Sequence, residues 1–517
     1  MKSVVFPLSC VAGVAAFSSA WADAPKIVAT GWDIACVPAA QIVEQADRFA
    51  KAGFDGISFK FEFGGMPLEG GGRAEDGSPC NGGVWAQSAL DGYVPVFRKA
   101  VSLPCLRNSF VGFHFAPKRR IGWRDDRAWA DVAVNMRRIA ATAKRGGLKG
   151  MILDTEDYWR QRQYVHLATD GSFDETMRLA RRRGAEVFRG VFDEFPDITI
   201  LAYWWLSHMR EYAESYDAVA DMRGLGDLFP AFTDGVLDVM PDAVTFFDGN
   251  EYTYHGGYER NYHAQHRAYA ELVSSENRRK YRMCFRAGAA IYLDMFTNPE
   301  KRPDGSRHPW YAGPTDGSRL NTLIDRLEKA IQNSDGCVWV FGERRSFADW
   351  KDIKIPPTWE DAFTNGTWDA SLPGFAEQLR ILKDPIGELT PRLLELERTG
   401  RAVNVASEPD RRDPYSVRSR MEGAKHGEWY AFRVTVKSDN PWVWIHPLVK
   451  GRRDWSQRQD HVILEPPDRN GVRRGLGFAR VRGGATGFEV ECSYNRDIRT
   501  KIEVLSLSAV RVYAQKD

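Results

Sequence analysis

The chain has 517 residues, with 71 Lys and Arg against 69 Asp and Glu, a net charge of +2. Domains usually run about 100 to 250 residues, so this length calls for more than one core. A balance this close to neutral leaves no large electrostatic footprint for nucleic acid. The 17 Trp, 18 Tyr and 28 Phe supply core volume and flat surfaces for a ligand.

Residues 1–22 read as a signal peptide: Lys2 is a short basic start, "VVFPLSCVAGVAAFSSA" an apolar core, and Ala20-Trp21-Ala22 a small-x-small cleavage site. The apolar run is short and broken by Pro, Ser and Gly, which argues against a membrane anchor. The expected mature protein is secreted or periplasmic, with no membrane span. Removing Cys10 leaves Cys36, Cys80, Cys105, Cys284, Cys337 and Cys492, none in a CxxC spacing. Cys36 and Cys80 fall in loop-like stretches after early strands, so an oxidising compartment predicts a disulfide between them, with Cys105 as competitor.

From residue 23 to about 385, eight short apolar runs alternate with helical patterns. The runs are "KIVATGWD", "FDGISFKFEF", "SFVGFHFAP", "LKGMILDTE", "ITILAYWWLS", "AVTFFDGNEY", "YRMCFRAGAAIYLD" and "GCVWVFGERRSF". Intervening segments such as "DRAWADVAVNMRRIAATAKRGG" repeat apolar residues every three or four positions, as on one helix face. The arginine-rich "RLARRRGAEVFRG" reads as a solvated helix face. Nearly continuous apolar strands belong to a sheet covered on both sides. Eight strand–helix repeats predict a (β/α)8 barrel. The runner-up, an open doubly wound sheet, would bring a Gly-rich phosphate turn after an early strand, and none is present.

Residues 386–420, with "ERTGRAVNVASEPDRRDPYS", read as a linker. Residues 421–517 then alternate apolar and polar positions between Gly, Pro, Asp and Asn turns, which predicts an all-β sandwich. Trp442, Trp444 and Trp455 are its candidate exposed aromatics.

A barrel carries its site at the C-terminal ends of its strands. Strand four ends "LDTEDYW", and side chains alternate along a strand, so Asp154 and Glu156 point one way and Asp157 the other. Two like charges at a strand mouth repel, and burial adds to that cost by raising a carboxyl pKa, which suits a general acid. Other strand ends bring Asp248 and Glu251, Glu343, Asp294, Trp32 and Asp33, Lys60 and Glu62, His114, Tyr203, Trp204 and Trp205, and Arg286. Tyr158 and Trp159 open the loop after strand four. Carboxylates among aromatic faces are what sugar chemistry requires. The candidate catalytic set is Glu156, Asp154, Asp248 and Glu343. The candidate substrate-binding set is Trp32, Asp33, His114, Tyr158, Tyr203, Trp204, Trp205 and Arg286.

On these residues and this organisation the chain resembles secreted barrel glycoside hydrolases that carry a C-terminal carbohydrate-binding-type sandwich. Many of them place the general acid as a Glu at the end of strand four, which the resemblance assigns to Glu156. The closest local likeness is to chitinase-like hydrolases, whose strand four ends Asp-x-Asp-x-Glu and whose strand six carries Tyr-Asp. Asp154, Glu156 and Asp248 match, while Ile152 and Phe247 depart. The resemblance implies a glycan substrate and no cofactor. A non-catalytic carbohydrate-binding barrel is the competing reading, since fold alone does not fix function. A serine esterase lacks its G-x-S-x-G elbow, and His263 and His266, three apart on a helical segment, are the closest approach to a metal-ligand spacing.

Overall fold

The computed structural model describes residues 25–61, 65–215, 217–353, 365–406, 410–413, 416–421, 424–438, 442–449, 452–453, 460–482, 485–491 and 503–514. The expected signal peptide, Glu62, Trp455, Cys492 and the side chain of Trp442 lie outside the described residues.

Eight parallel strands close on themselves in chain order: β1 (Lys26–Gly31), β2 (Gly56–Phe59), β3 (Phe110–His114), β4 (Gly150–Asp154), β5 (Thr199–Ala202), β6 (Thr245–Asp248), β7 (Phe285–Tyr292) and β8 (Cys337–Gly342). Helices α1 (Ala39–Glu44), α2 (Tyr93–Val101), α3 (Asp126–Gly146), α4 (Phe173–Glu194), α5 (Phe229–Val239), α6 (Tyr258–Arg267) and α7 (Arg319–Gln332) follow β1 to β7 in turn. This is the (β/α)8 barrel, and closure of β8 on β1 excludes the open sheet.

The apolar runs are continuous because both faces are covered: Met151, Ile152 and Leu153 of β4 are all fully buried. Register then sets the mouth, with Gly112 opposite Ile152 and His114 opposite Asp154. Local signals place the helix ends. The Asp125 carboxylate accepts from Ala128 N at 3.0 Å to start α3, and Gly147, at φ 76°, ends it. Ser172 starts α4 by accepting from Glu175 N at 3.3 Å. One arginine of the α4 run departs from the solvated expectation. Arg183 is buried, donating to the Trp123 carbonyl at 2.9 and 3.0 Å and to Asp126 and Glu186 at 2.6 Å.

The chain divides into two compact units, Met1–Thr297 with Arg326–Ser371, and Asn298–Asp325 with Leu372–Asp517. The second holds helices α8 (Phe375–Lys383) and α9 (Pro385–Arg398) and strands β9 (Asp410–Asp413), β10 (Ser416–Arg420), β11 (Trp429–Lys437), β12 (Trp442–Val449), β13 (Arg452–Arg453), β14 (Asp460–Ile463), β15 (Val472–Arg480), β16 (Ala485–Glu491) and β17 (Glu503–Tyr513). One antiparallel sheet runs β13-β12-β16-β10-β9, with β14 paired to β12, and the other runs β15-β11-β17. Tyr430, Phe432, Val434 and Val436 of β11 face the larger sheet, packing with Val443, Ile445 and Phe488. The alternate residues Trp429 and Ala431 pack on the other side with Ile381, Leu389 and Leu393 of α8 and α9. The expected linker is therefore corrected over 386–398. That segment is helix, ordered because its apolar stripe covers the outer face of a sheet.

The expected Cys36–Cys80 disulfide is also corrected: both are free thiols, as are Cys105, Cys284 and Cys337. Burial pushes the Cys36 and Cys80 thiols up to about 12, so neither carries the thiolate that exchange requires.

Candidate active site

The mouth of β4 is built by backbone hydrogen bonds to side chains. Asp154 Oδ1 accepts from the Glu156 backbone N–H at 3.1 Å, and His114 Nε2 donates to the Glu156 carbonyl at 2.6 Å. Between them Thr155 Oγ1 donates to the Trp204 carbonyl at 2.8 Å. Glu156 is thus fixed from both sides while its carboxyl stays at the mouth, where Tyr158 donates its hydroxyl hydrogen to Oε2. The same hydroxyl lies 3.4 Å from Asp154 Oδ2. Asp157 turns away and builds the next loop, accepting from Gln161 N at 2.9 Å and Arg162 N at 2.6 Å.

Two more carboxyls join the mouth. Glu343 follows β8, its backbone N–H donating to Asp294 Oδ2 at 2.8 Å. Glu251 lies three residues beyond β6 because Asn250, at φ 49°, turns the chain there. Its backbone N–H donates to the Tyr203 carbonyl at 3.1 Å, and its Oε2 is buried with no hydrogen-bond partner. The electrostatics bind the group together. Burial first and then the charge of Asp154 push Glu156 up to about 7, Tyr158 opposes the rise, and Glu343 adds to it. Burial, then Glu156 and Asp154, push Glu251 up to about 9. Burial and Asp294 raise Glu343, while Tyr292 and Arg344 hold it down.

The walls are aromatic. Tyr203 stacks on Trp339 with ring centroids 4.1 Å apart, and Tyr254 lies 5.3 Å from Trp339 and 5.3 Å from Tyr292. His114 lies 5.3 Å from the Tyr158 ring and 4.8 Å from that of Trp159. Lys60, just past β2, occupies space that Gly112 leaves open: a Cβ there would sit 3.0 Å from Lys60 Nζ and 2.0 Å from Ser58 Oγ. Burial lowers the Lys60 ammonium pKa, and the charge of Asp154 opposes that.

Several expected site residues are placed elsewhere. Asp248 is fully buried, its carboxylate accepting from Trp205 N at 2.9 Å, from Ser207 N at 2.8 Å and from the Ser207 hydroxyl. It shapes the turn after β5 and does not reach the mouth. Asp33 is likewise fully buried, accepting from Phe347 N at 2.8 Å and Trp350 Nε1 at 2.9 Å. Trp205 packs among Phe229 and Phe246, its indole donating to Thr233 at 3.0 Å. Arg286 sits at the start of β7, the opposite end from the mouth, bonded to the Arg282 and Phe285 carbonyls at 3.2 Å. Trp32 opens a short helix after β1, partly exposed. Trp204 is partly exposed and lies against His208, 4.3 Å between ring centroids. Asp154, Glu156, Glu343, His114, Tyr158 and Tyr203 belong to the mouth, joined by Glu251. The sequence placed Glu251 beyond strand six but gave the strand-end Asp248 priority, because a left-handed turn at Asn250 is not written in a strand pattern.

Fold and site together define a (β/α)8-barrel protein with a carboxyl cluster in an aromatic mouth. No family model and no curated protein matches the chain. Similar solved structures include a glucosidase from Croceicoccus marinus, 11% identical over 89% of this chain and 92% of that one, TM-score 0.35. A GH27 β-L-arabinopyranosidase from Geobacillus stearothermophilus is 10% identical over 91% of this chain and 98% of that one, TM-score 0.30. The 3-keto-D-glucoside 4-epimerase YcjR from E. coli is 13% identical over 69% of this chain and 98% of that one, TM-score 0.30. The barrel is established independently of these likenesses by its own strand pairing.

Proposed function

We propose that this chain is an exported glycoside hydrolase whose general acid is Glu156. The observation that carries the reading is the Glu156 carboxyl itself: fixed at a strand mouth, facing aromatic walls, and pushed up to about 7 by burial and by Asp154. An acid works best when its pKa lies near the working pH. Glu156 donates its proton to the departing glycosidic oxygen while Asp154 keeps the proton on Glu156 until transfer. Glu343, from the end of β8, supplies the second carboxylate, either attacking the anomeric carbon or activating water. Glu251, held neutral, offers its unpartnered oxygen to a sugar hydroxyl. Export is supported by the pattern of residues 1–22.

The test is a panel of plant, algal and bacterial glycans offered to the wild type and to Glu156→Gln and Glu343→Gln. General acid catalysis is worth about 10²- to 10⁴-fold, so Glu156→Gln loses at least that order on a poor leaving group and much less on an activated one. A folded wild type that cleaves no glycan would turn the reading to a binding protein.

A further inference from the structure

The ammonium of Lys60, just past β2, is a cation that the proposed chemistry does not use. It makes no hydrogen bond or direct ion pair with a described residue, the charge of Asp154 acting on it from farther off, although a charge removed from water normally takes a partner. Beside it, Ser58 is fully buried and its hydroxyl has no partner. Gly112 leaves both of them room, since any Cβ at that position would collide with Ser58. Lys60 thus places a cation beside a carboxyl cluster.

The loop after β4 continues the pattern outward. Arg160 and Arg162 hold left-handed backbone conformations, φ 55° and 53°, which non-glycine residues keep only when their surroundings impose them. The two Asp157 hydrogen bonds impose them here. Both arginine side chains are exposed and unpaired among the described residues. Trp159 precedes them, with Lys118 Nζ, which also pairs with Asp76 at 3.4 Å, 5.5 Å from its ring centre. The turn thus presents an indole with Lys118 beside it, followed by two exposed arginines.

We propose that the substrate is an acidic glycan: a negatively charged group on the sugar in the mouth binds Lys60, and the neighbouring unit stacks on Trp159 with its charge toward Lys118 and Arg160. The inference rests on the glycan reading above and names the substrate class of the same site. Glu156 and Glu251, both raised by burial, keep protons near neutrality and so repel an incoming anion less than four ionised carboxylates would.

The test measures binding by affinity electrophoresis and calorimetry at low and at high salt. The probes are polygalacturonate and alginate for carboxylates, λ-carrageenan for sulfates, and glucomannan and starch as neutral polymers; release of reducing ends is followed on the same panel. The wild type should bind one acidic class at least about tenfold tighter than the neutral polymers, the usual size of a charge-assisted contact. That preference should shrink with salt. Lys60→Met should lose it by about tenfold and Lys60→Arg should retain most of it, with thermal unfolding of both variants showing that they fold. The carboxylate and sulfate arms identify the anion. Equal binding of neutral and acidic polymers, unchanged in Lys60→Met, overturns the inference. Cleavage of a neutral glycan with acidic ones ignored also overturns it and leaves the hydrolase reading standing. Acidic binding with no cleavage of any glycan supports the inference and sinks the hydrolase reading.

Discussion

His114 Nε2 lies 2.6 Å from the backbone carbonyl of Glu156, so the end of β3 holds the carboxyl-bearing residue proposed as the acid in the loop after β4. A catalytic group displaced by about 1 Å can cost about 10²-fold in rate. His114→Ala should therefore lower kcat on a cleaved glycan by about ten- to a hundredfold. His114→Gln, which keeps an N–H donor, should recover part of that loss. Steady-state kinetics on the three forms checks it, and an unchanged kcat in His114→Ala removes His114 from the positioning role.

The pH dependence follows from Asp154. In the proposed mechanism Glu156 must carry its proton to act, so activity should fall as pH rises through about 7. The negative charge of Asp154 is one cause of that raised value. Asp154→Asn removes the charge, lets Glu156 ionise more readily, and moves the falling limb to lower pH. A pH–rate profile whose alkaline limb stays in place would show that another group titrates there.

Glu251 bears on stability. An unfolded Glu titrates near 4.3, and in the folded chain burial and its carboxyl neighbours push this one up to about 9. Between those values the folded state holds a proton that the unfolded state has released, so its contribution to stability falls as pH rises across that window. Glu251→Gln carries no such charge. Its melting temperature should exceed that of the wild type at about pH 8 by more than at about pH 5, as read by thermal unfolding at both. The same difference at both values of pH would remove this contribution.

Asp248 should behave as a structural residue. Its removal strands two buried backbone N–H groups, those of Trp205 and Ser207, and the Ser207 hydroxyl. Each stranded buried group costs about 1–3 kcal/mol, so Asp248→Ala should lose about 3 kcal/mol or more in denaturant unfolding. The fraction that stays folded should keep its Glu156-dependent activity. A stable, folded and inactive Asp248→Ala would return Asp248 to the chemistry.

Much of this molecule is local and therefore legible in the sequence. Strand runs buried on both faces, helix stripes and caps set the alternating strands and helices of the barrel, while Glu156, beyond the end of β4, is held by loop hydrogen bonds that strand alternation does not describe. The alternating C-terminal strands were equally plain, because a half-buried strand repeats every two residues.

Tertiary structure decided which polar groups are spent on the fold and which are left for a ligand. Asp248 meets donors 41 and 43 residues away, and Asp33 meets donors 314 and 317 residues away. No strand pattern foretells such partners, so two strand-end carboxylates that look alike in sequence to Glu343 are committed to architecture. The turn at Asn250 brings Glu251 to the mouth, and the turn after Tyr203 carries Trp205 into packing with Phe229 and Phe246. Residues 386–398 become helix only because the outer face of a sheet exists for them to cover. The sequence by itself determined the barrel and the β-rich end, since periodicity and capping act within a few residues. The membership of the carboxyl cluster was decided only when chain segments far apart in sequence met, because burial and hydrogen-bond partners are properties of the assembled core.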